Sequence, residues 1–362
     1  MKSKNKILDI ANSIFTIAVL LVYLLVLYLP FLHPNLLPHL NFIGIATFPI
    51  LIILIITIVI NICNRNILLS ILTVAMLLIG FPNWRNTFVI NIADDPEPAD
   101  DNKIQLNLLS YNLYGFAYTE DSADSILSLV TRGNFDIVCF QEYHDIRLES
   151  GKRISSSLDS IYPYSHFGYG LRNHGIALFT RFPIVKKPCD NYGANIYNSF
   201  FTDLLVNGDT IRIINNHLES THLNAEERAI TAKLTDDIDD SIYNTTYGLL
   251  KHLATSAIDR APQADSVASL IARTTYPIII MGDFNDIPQS YTYHRIISAG
   301  DRNLRDAYAA AGKWFYYWTY NDHHFYLPID HIIVSDDFKI LDAHVEYVKF
   351  SDHNPISATV QL

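Results

Sequence analysis

Charge is almost missing from the start of this chain: between Asp9 and Arg85 the only charged side chain is Arg65. The uncharged runs are Ile10–Leu29, Phe42–Cys63 and Ile67–Trp84, of 20, 22 and 18 residues. At about 1.5 Å per residue, 20 helical residues cover the roughly 30 Å of bilayer hydrocarbon. A cleaved signal peptide has an apolar core of only about 7–15 residues, so three such runs in succession read instead as membrane spans. Cysteine is scarce as well. Cys63 lies in the apolar region, Cys139 in an apolar strand run, and with Cys189 they form no CxxC and no paired spacing. That argues against a disulfide framework or a zinc site. Positive charge is the third shortage. Residues 95–362 hold 21 Lys and Arg against 35 Asp and Glu, a formal −14. This opposes broad, sequence-independent contact with a nucleic-acid backbone, though a small local basic site remains compatible with it.

Where the few basic residues fall sets an expected topology. Lys2, Lys4 and Lys6 precede the first run, Arg65 sits between the second and third, and Phe31–Asn41 has no Lys or Arg. The positive-inside tendency then puts the N-terminus and Arg65 in the cytoplasm. Three spans place everything after Trp84 on the outer side of a plasma membrane, of bacterial inner-membrane type; two would leave it cytoplasmic. The orientation therefore turns on Ile67–Trp84.

The acidic, proline-bearing stretch Asp94–Asp101 reads as an extended linker. It divides an anchor, residues 1–93, from a polar domain, 104–362, with the linker taken as 94–103. Beyond it, strand and helix signals alternate. Ile104–Tyr111 and Asp136–Gln141 are strand-like, with helical spacing over Ser125–Arg132 between them. Gly175–Phe182, Ser199–Val206 and Asp209–Asn216 suggest more strands, with a hairpin at Asn207-Gly208. Asn224–Arg273 has helical spacing interrupted near Tyr243–Gly248, and strands recur at Ile278, Ile329–Val334, His344–Val348 and Ile356–Val360. Hairpins mixed with crossovers predict a layered α/β domain. No internal repeat is visible.

Polar clusters interrupt or end these apolar runs: Tyr111-Asn112, Gln141-Glu142, Asn216-His217-Leu218, Gly282-Asp283-Phe284-Asn285-Asp286, Ile329-Asp330-His331-Ile332 and Ser351-Asp352-His353. Any one of them has an ordinary explanation, since Gly, Asp and Asn are common turn residues and a histidine can be a satisfied core group. Carboxylates, amides and imidazoles gathered at strand ends are also what metal-assisted cleavage of a phosphate ester requires. The series, in this order, resembles the endonuclease/exonuclease/phosphatase family, the metal-dependent phosphoesterases of the pancreatic-type deoxyribonuclease fold. Gly175-Ile-Ala-Leu-Phe-Thr-Arg-Phe-Pro-Ile184, Arg260-Ala-Pro-Gln263 and Pro288-Gln-Ser290 add to the match, which runs over about Ile104–Leu362. The resemblance implies a four-layer α/β/β/α sandwich, with two β-sheets between helices and the site at one edge. Residues 104–362 would then be the catalytic domain.

What the resemblance implies agrees with the residues one by one. Glu142, Asn112 and Asp352 are the expected ligands of Mg²⁺, with Mn²⁺ as the alternative; a hard ion of this kind takes oxygen ligands. Asp283 is expected to orient and deprotonate the attacking water, and Asn285 to hold Asp283 and donate to a phosphate oxygen. Asp330 would accept the ring N–H of His353 and favour its charged form; His217 would bind or protonate the other side of the phosphate. Tyr114 stands where some nucleases of the family carry an acid, which counts against abasic-site repair. The residues around Gly282 and Asp330 do not resemble the inositol-polyphosphate phosphatase branch. Among secondary candidates, His323-His324 reads as a surface pair and His144 as solvated. Tyr169, Arg172 and His174 stand where substrate loops could gather, and Trp314–Trp318 reads as core strand.

The expected protein is a membrane-anchored, metal-dependent phosphoesterase acting on a phosphodiester or phosphomonoester, as a nuclease or a phospholipid or sphingolipid phosphodiesterase. Its expected partners are a nucleic acid or lipid headgroup as substrate and the bilayer itself; no protein partner is implied. The −14 charge weighs against a processive nuclease, and membrane tethering favours lipid headgroups. The contrasting reading is a non-catalytic membrane protein with a phosphoesterase-like binding domain.

Overall fold

The uncharged runs form three helices in the computed structural model of the protein, which describes residues 2–89, 91, 99–100, 102–148, 150–169, 175–186, 199–221, 223, 240–322 and 325–362. These are α1 (Lys2–Tyr28), α2 (Thr47–Cys63) and α3 (Ile67–Trp84). Each lies in a segment long and apolar enough to cross a membrane. Polar side chains within this bundle find one another: Asn12 Nδ2 donates to Asn61 Oδ1 at 2.6 Å, and Asn61 Nδ2 to Thr16 Oγ1 at 3.2 Å. Interhelical bonds of this kind fix the register of helices that apolar surroundings alone would leave free to slide. The second run lies within a candidate span of Pro38–Cys63, in which Pro38–Ala46 is a 3₁₀ helix and α-helix begins at Thr47. Gly44 there packs against Gln289 and Ile287, so this segment is shaped by contact with the polar domain.

The polar domain then runs β1 (Gln105–Asn112), α4 (Ser122–Arg132), β2 (Ile137–Tyr143), α5 (Ile154–Leu158), β3 (Tyr164–Tyr169), β4 (Gly175–Thr180), β5 (Ile184–Lys186), β6 (Ser199–Val206) and β7 (Asp209–His217). It continues with α6 (Asp240–Ala272), β8 (Ile278–Asp283), α7 (Tyr291–Ile297), β9 (Leu304–Asp306), α8 (Ala307–Ala311), β10 (Tyr320–Asp322), β11 (Phe325–Leu327), β12 (Asp330–Ser335), β13 (Lys339–Val345) and β14 (Ile356–Gln361). The helix α6 passes unbroken through 243–248, where the sequence suggested an interruption. Residues 224–239, most of the linker, and Cys189 lie outside the described residues.

Two six-stranded sheets result, in the orders β13-β14-β1-β2-β4-β3 and β5-β6-β7-β8-β12-β9. Each is antiparallel except for one central parallel pair, β1 with β2 and β7 with β8. A parallel pair needs a crossover, and α4 and α6 supply one each. Side chains alternate across each strand, so Leu106, Leu108 and Cys139 from one sheet meet Ile213, Ile279 and Met281 from the other in a shared core. The opposite faces are covered by helices: Ile126 and Leu129 of α4 pack on Leu109 and Val138, while Val267 and Ile271 of α6 pack on Ile214 and Ile280. The architecture is the four-layer α/β/β/α sandwich. Its strands point the C-terminal ends of β1, β2, β7 and β8 to one edge.

Trp314–Trp318 is not a core strand. Only Tyr316 forms an isolated bridge, to Phe88. Tyr317 is buried, whereas Trp314 and Phe315 are 65% and 54% exposed.

Candidate active site

Local backbone geometry aims the polar groups at that edge. Asn112 ends β1, and its neighbour in register is Gln141. The β2–β4 ladder shifts register between Phe140 and Tyr143, and Glu142 inside the shift has φ 52°. Bulges re-aim a side chain in this way, and positive φ is strained for a non-glycine residue. At the end of β8, Gly282 has φ 135°, and a Cβ there would overlap the carbonyl oxygen of Asn216 on β7. Only glycine lets the two strands run side by side at that point. The register β7–β8–β12 then sets His217 and Asp330 on either side of Asp283.

Asp283 is the centre of the site. Its carboxylate accepts from the Asn285 backbone N–H at 2.7 Å, from Asn285 Nδ2 at 3.1 Å and from Asn112 Nδ2 at 3.0 Å. Two imidazoles flank it, His217 Nε2 and His353 Nε2, each 3.8 Å from Asp283 Oδ2. Burial, with Asp330 adding to it, pushes the Asp283 carboxyl up to about 6, although His353, His217 and the Asn285 N–H pull the other way. His353 Nδ1 meets Asp330 Oδ2 at 2.8 Å. Burial opposes charge on His353, but Asp330, Asp283 and Asp352 outweigh it and hold the imidazolium well above the ordinary histidine range.

Glu142 and Asp352 form a second group beside the first. Glu142 Oε1 lies 3.7 Å from His217 Nε2. Burial pushes the Asp352 carboxyl up to about 6; His353 opposes this, while Glu142 and Asp322 add to it. Asn112 Oδ1 accepts from the Tyr114 N–H at 3.1 Å and keeps a second lone pair. Two carboxylates in mutual repulsion and an amide oxygen are hard-oxygen donors of the kind a divalent cation takes. A buried acidic and imidazole trio also exists, in which Asp283, Asp330 and His353 bring ligand atoms within 4.8 Å of one another. Within this trio His353 Nδ1 is hydrogen-bonded to Asp330 Oδ2.

All eight residues singled out from the sequence converge here: Asn112, Glu142, His217, Asp283, Asn285, Asp330, Asp352 and His353. Several contributors were not singled out. Ser351 Oγ donates to the Asn112 carbonyl at 2.9 Å and accepts from the His353 N–H at 3.1 Å. The Tyr320 ring lies 5.2 Å from that of His353, and the Asn321 N–H donates to the Asp352 carbonyl at 2.8 Å. Between the sheets, Gln141 Nε2 donates to Asn215 Oδ1 at 2.8 Å, and Asn215 Nδ2 donates to the carbonyls of Phe140 and Ala177. An asparagine and a glutamine at core-facing positions were the one available signal for that bridge. His144 is half-buried rather than solvated. Arg172, His174, His323 and His324 lie outside the described residues, as does the side chain of Tyr169.

Residues 109–353 match the model of the Endonuclease/Exonuclease/phosphatase family. A search of curated proteins found no match. Among solved structures, truncated Caenorhabditis elegans TDP2 is 17% identical, with 72% of this chain and 98% of that one covered and a TM-score of 0.48. An endonuclease/exonuclease/phosphatase from Bacteroides vulgatus is 16% identical, covering 72% and 100%, with a TM-score of 0.47. An AP endonuclease from Archaeoglobus fulgidus is 14% identical, covering 70% and 98%, also at 0.47.

Proposed function

The chain belongs to the endonuclease/exonuclease/phosphatase family, and from that premise we propose that it is a membrane-anchored, divalent-metal-dependent phosphoesterase. The observation that carries this reading is the placement of one buried carboxylate, Asp283, between two imidazoles and beside an oxygen donor set. A phosphate ester resists hydrolysis because its anionic oxygens repel nucleophiles and its leaving alkoxide is poor. A divalent cation held by Glu142, Asp352 and Asn112 would neutralise that charge.

The chain's own groups do the rest. Asp283 Oδ2, held by Asn112 and Asn285, orients the attacking water and takes its proton; a carboxyl raised to about 6 is a better base than an ordinary one. His353, fixed through Nδ1 by Asp330, presents a charged Nε2–H to a phosphate oxygen. His217 stands on the opposite side, next to Glu142, to bind or protonate the ester. In this reading α1, α2 and α3 span the bilayer, 1–93 is the anchor, 94–103 the linker and 104–362 the catalytic domain, facing outward. Mg²⁺ is the metal we assign, on the hardness of the donors.

The test is hydrolysis of bis-p-nitrophenyl phosphate by the full-length protein in dodecyl maltoside. Activity should require Mg²⁺ or Mn²⁺, stop with EDTA, and fall in Glu142→Gln. A folded protein with no metal-dependent turnover would favour the non-catalytic binding role.

A further inference from the structure

Both walls of the site rest on the membrane anchor. On one side, the loop that follows Asp283 and Asn285 is clamped by it. Gln289 is 2% exposed; its Oε1 accepts from Thr87 Oγ1 at 3.0 Å, and its Nε2 donates to the Asn83 carbonyl at 3.0 Å. Farther along, the rings of Tyr291 and His294 meet those of His33 and Phe31 at 5.2 and 4.3 Å. On the other side, the segment 314–322 begins at the end of the third apolar helix. There the Val89 N–H donates to the Phe315 carbonyl at 2.9 Å, and the Phe88 ring lies 5.4 Å from that of Phe315. It ends on the site, with Tyr320 against His353 and Asn321 on Asp352. Trp314, largely exposed at that junction, is a residue type that settles at a bilayer–water interface.

A half-open crevice runs from Asn285, at the border of the site, to the anchor. Asn285, Ile287 and Leu327 line it from the catalytic domain, and Leu29, Phe42 and Ile45 from the anchor. Leu29 directly follows α1, so the crevice starts beside Asn285, next to Asp283, and ends where the apolar helix emerges. Its exposed lining is mostly apolar, with Arg260 and Asp286 at its border paired to each other at 3.3 Å, and the −14 charge of residues 95–362 repels a polyanion. An alkyl chain matches it, since burying apolar surface is favourable wherever the lining is apolar.

Resting on the phosphoesterase reading above, we infer that the substrate is a lipid phosphate ester: its phosphate lies at Asp283 and Asn285, and its apolar chain along the crevice toward the bilayer. The anchor is then part of the substrate site as well as a tether.

Two phosphodiesters that differ only in chain length test this: methyl and hexadecyl p-nitrophenyl phosphate, with the full-length protein in dodecyl maltoside and Mg²⁺. In both, water adds to phosphorus and p-nitrophenolate leaves. The hexadecyl ester should have the higher kcat/KM, on the order of tenfold or more and carried by KM. In Phe42→Asn with Ile45→Asn, the hexadecyl-to-methyl ratio should collapse toward one. Because the ratio is taken within one preparation, a partly unfolded variant does not shift it. A wild-type ratio near one overturns the inference. So does a high ratio that survives the double substitution, since partition into the micelle would then account for it. Hydrolysis of neither ester would overturn the phosphoesterase reading itself.

Discussion

Asp283 accepts three hydrogen bonds and still sits beside two imidazoles, which no solvent-exposed turn aspartate would do. Removing its charge should remove the base while leaving its neighbours in place. Asp283→Asn and His353→Gln are each expected to lower kcat on the order of 10²–10⁴-fold with the protein still folded, as read from steady-state kinetics beside a thermal melt. Near-normal turnover in either would take that residue out of the mechanism. The pH profile carries a second signature. A base works deprotonated, so activity should fall as pH drops through about 6, the value to which burial raises Asp283. Asp352 is raised to about 6 as well, and its protonation would weaken metal binding. The acid limb should therefore approach a slope of two at low Mg²⁺ and a slope of one at saturating Mg²⁺, where the cation displaces the Asp352 proton. A limb whose slope ignores Mg²⁺ would contradict the role given to Asp352.

Among the elements, the two sheets are tied together next to the site by a polar pair inside an apolar core. Asn215 on β7 and Gln141 on β2 are both fully buried, and Asn215 also satisfies the Phe140 and Ala177 carbonyls. Asn215→Leu would take a partner from each of these groups, at a cost of about 2–3 kcal/mol in all, although Gln141 Nε2 also lies 3.4 Å from Ser110 Oγ. Differential scanning calorimetry should show a fall in Tm of roughly 5–10 °C. An unchanged Tm would mean the sheets are held by apolar packing alone. Gln141 immediately precedes Glu142, so the same bond also steadies the bulge that points Glu142 into the site.

For the whole molecule, three apolar helices and the α/β/β/α sandwich form a continuous unit: the 3₁₀ segment Pro38–Ala46, Thr87 and Phe88 all lie against the loops that carry the candidate site. On the proposed topology, with Lys2, Lys4, Lys6 and Arg65 on the cytoplasmic side, an odd number of spans would send residues after Trp84 outward. Alkaline phosphatase fused after Leu362 should therefore be active in intact bacterial cells; an inactive fusion of normal abundance would place the catalytic domain in the cytoplasm.

Much was determined by the sequence alone, because it depends on local composition and period. Uncharged runs of spanning length, apolar strands such as Ile278–Met281, and the polar residues at their ends are all visible one segment at a time. The matching order of those ends identified the family. Only the tertiary structure decided what each group meets. That His217 and His353 flank Asp283, that Asn215 bridges to Gln141, and that Gln289 is held by Thr87 are contacts between residues far apart in the chain. Hydrophobic periodicity shows which face of an element is buried and says nothing of its partner. For the same reason Trp314–Trp318 read as core strand: an aromatic run looks alike whether it faces a protein interior or lies beside the end of an apolar helix, and its exposure is set by the fold around it.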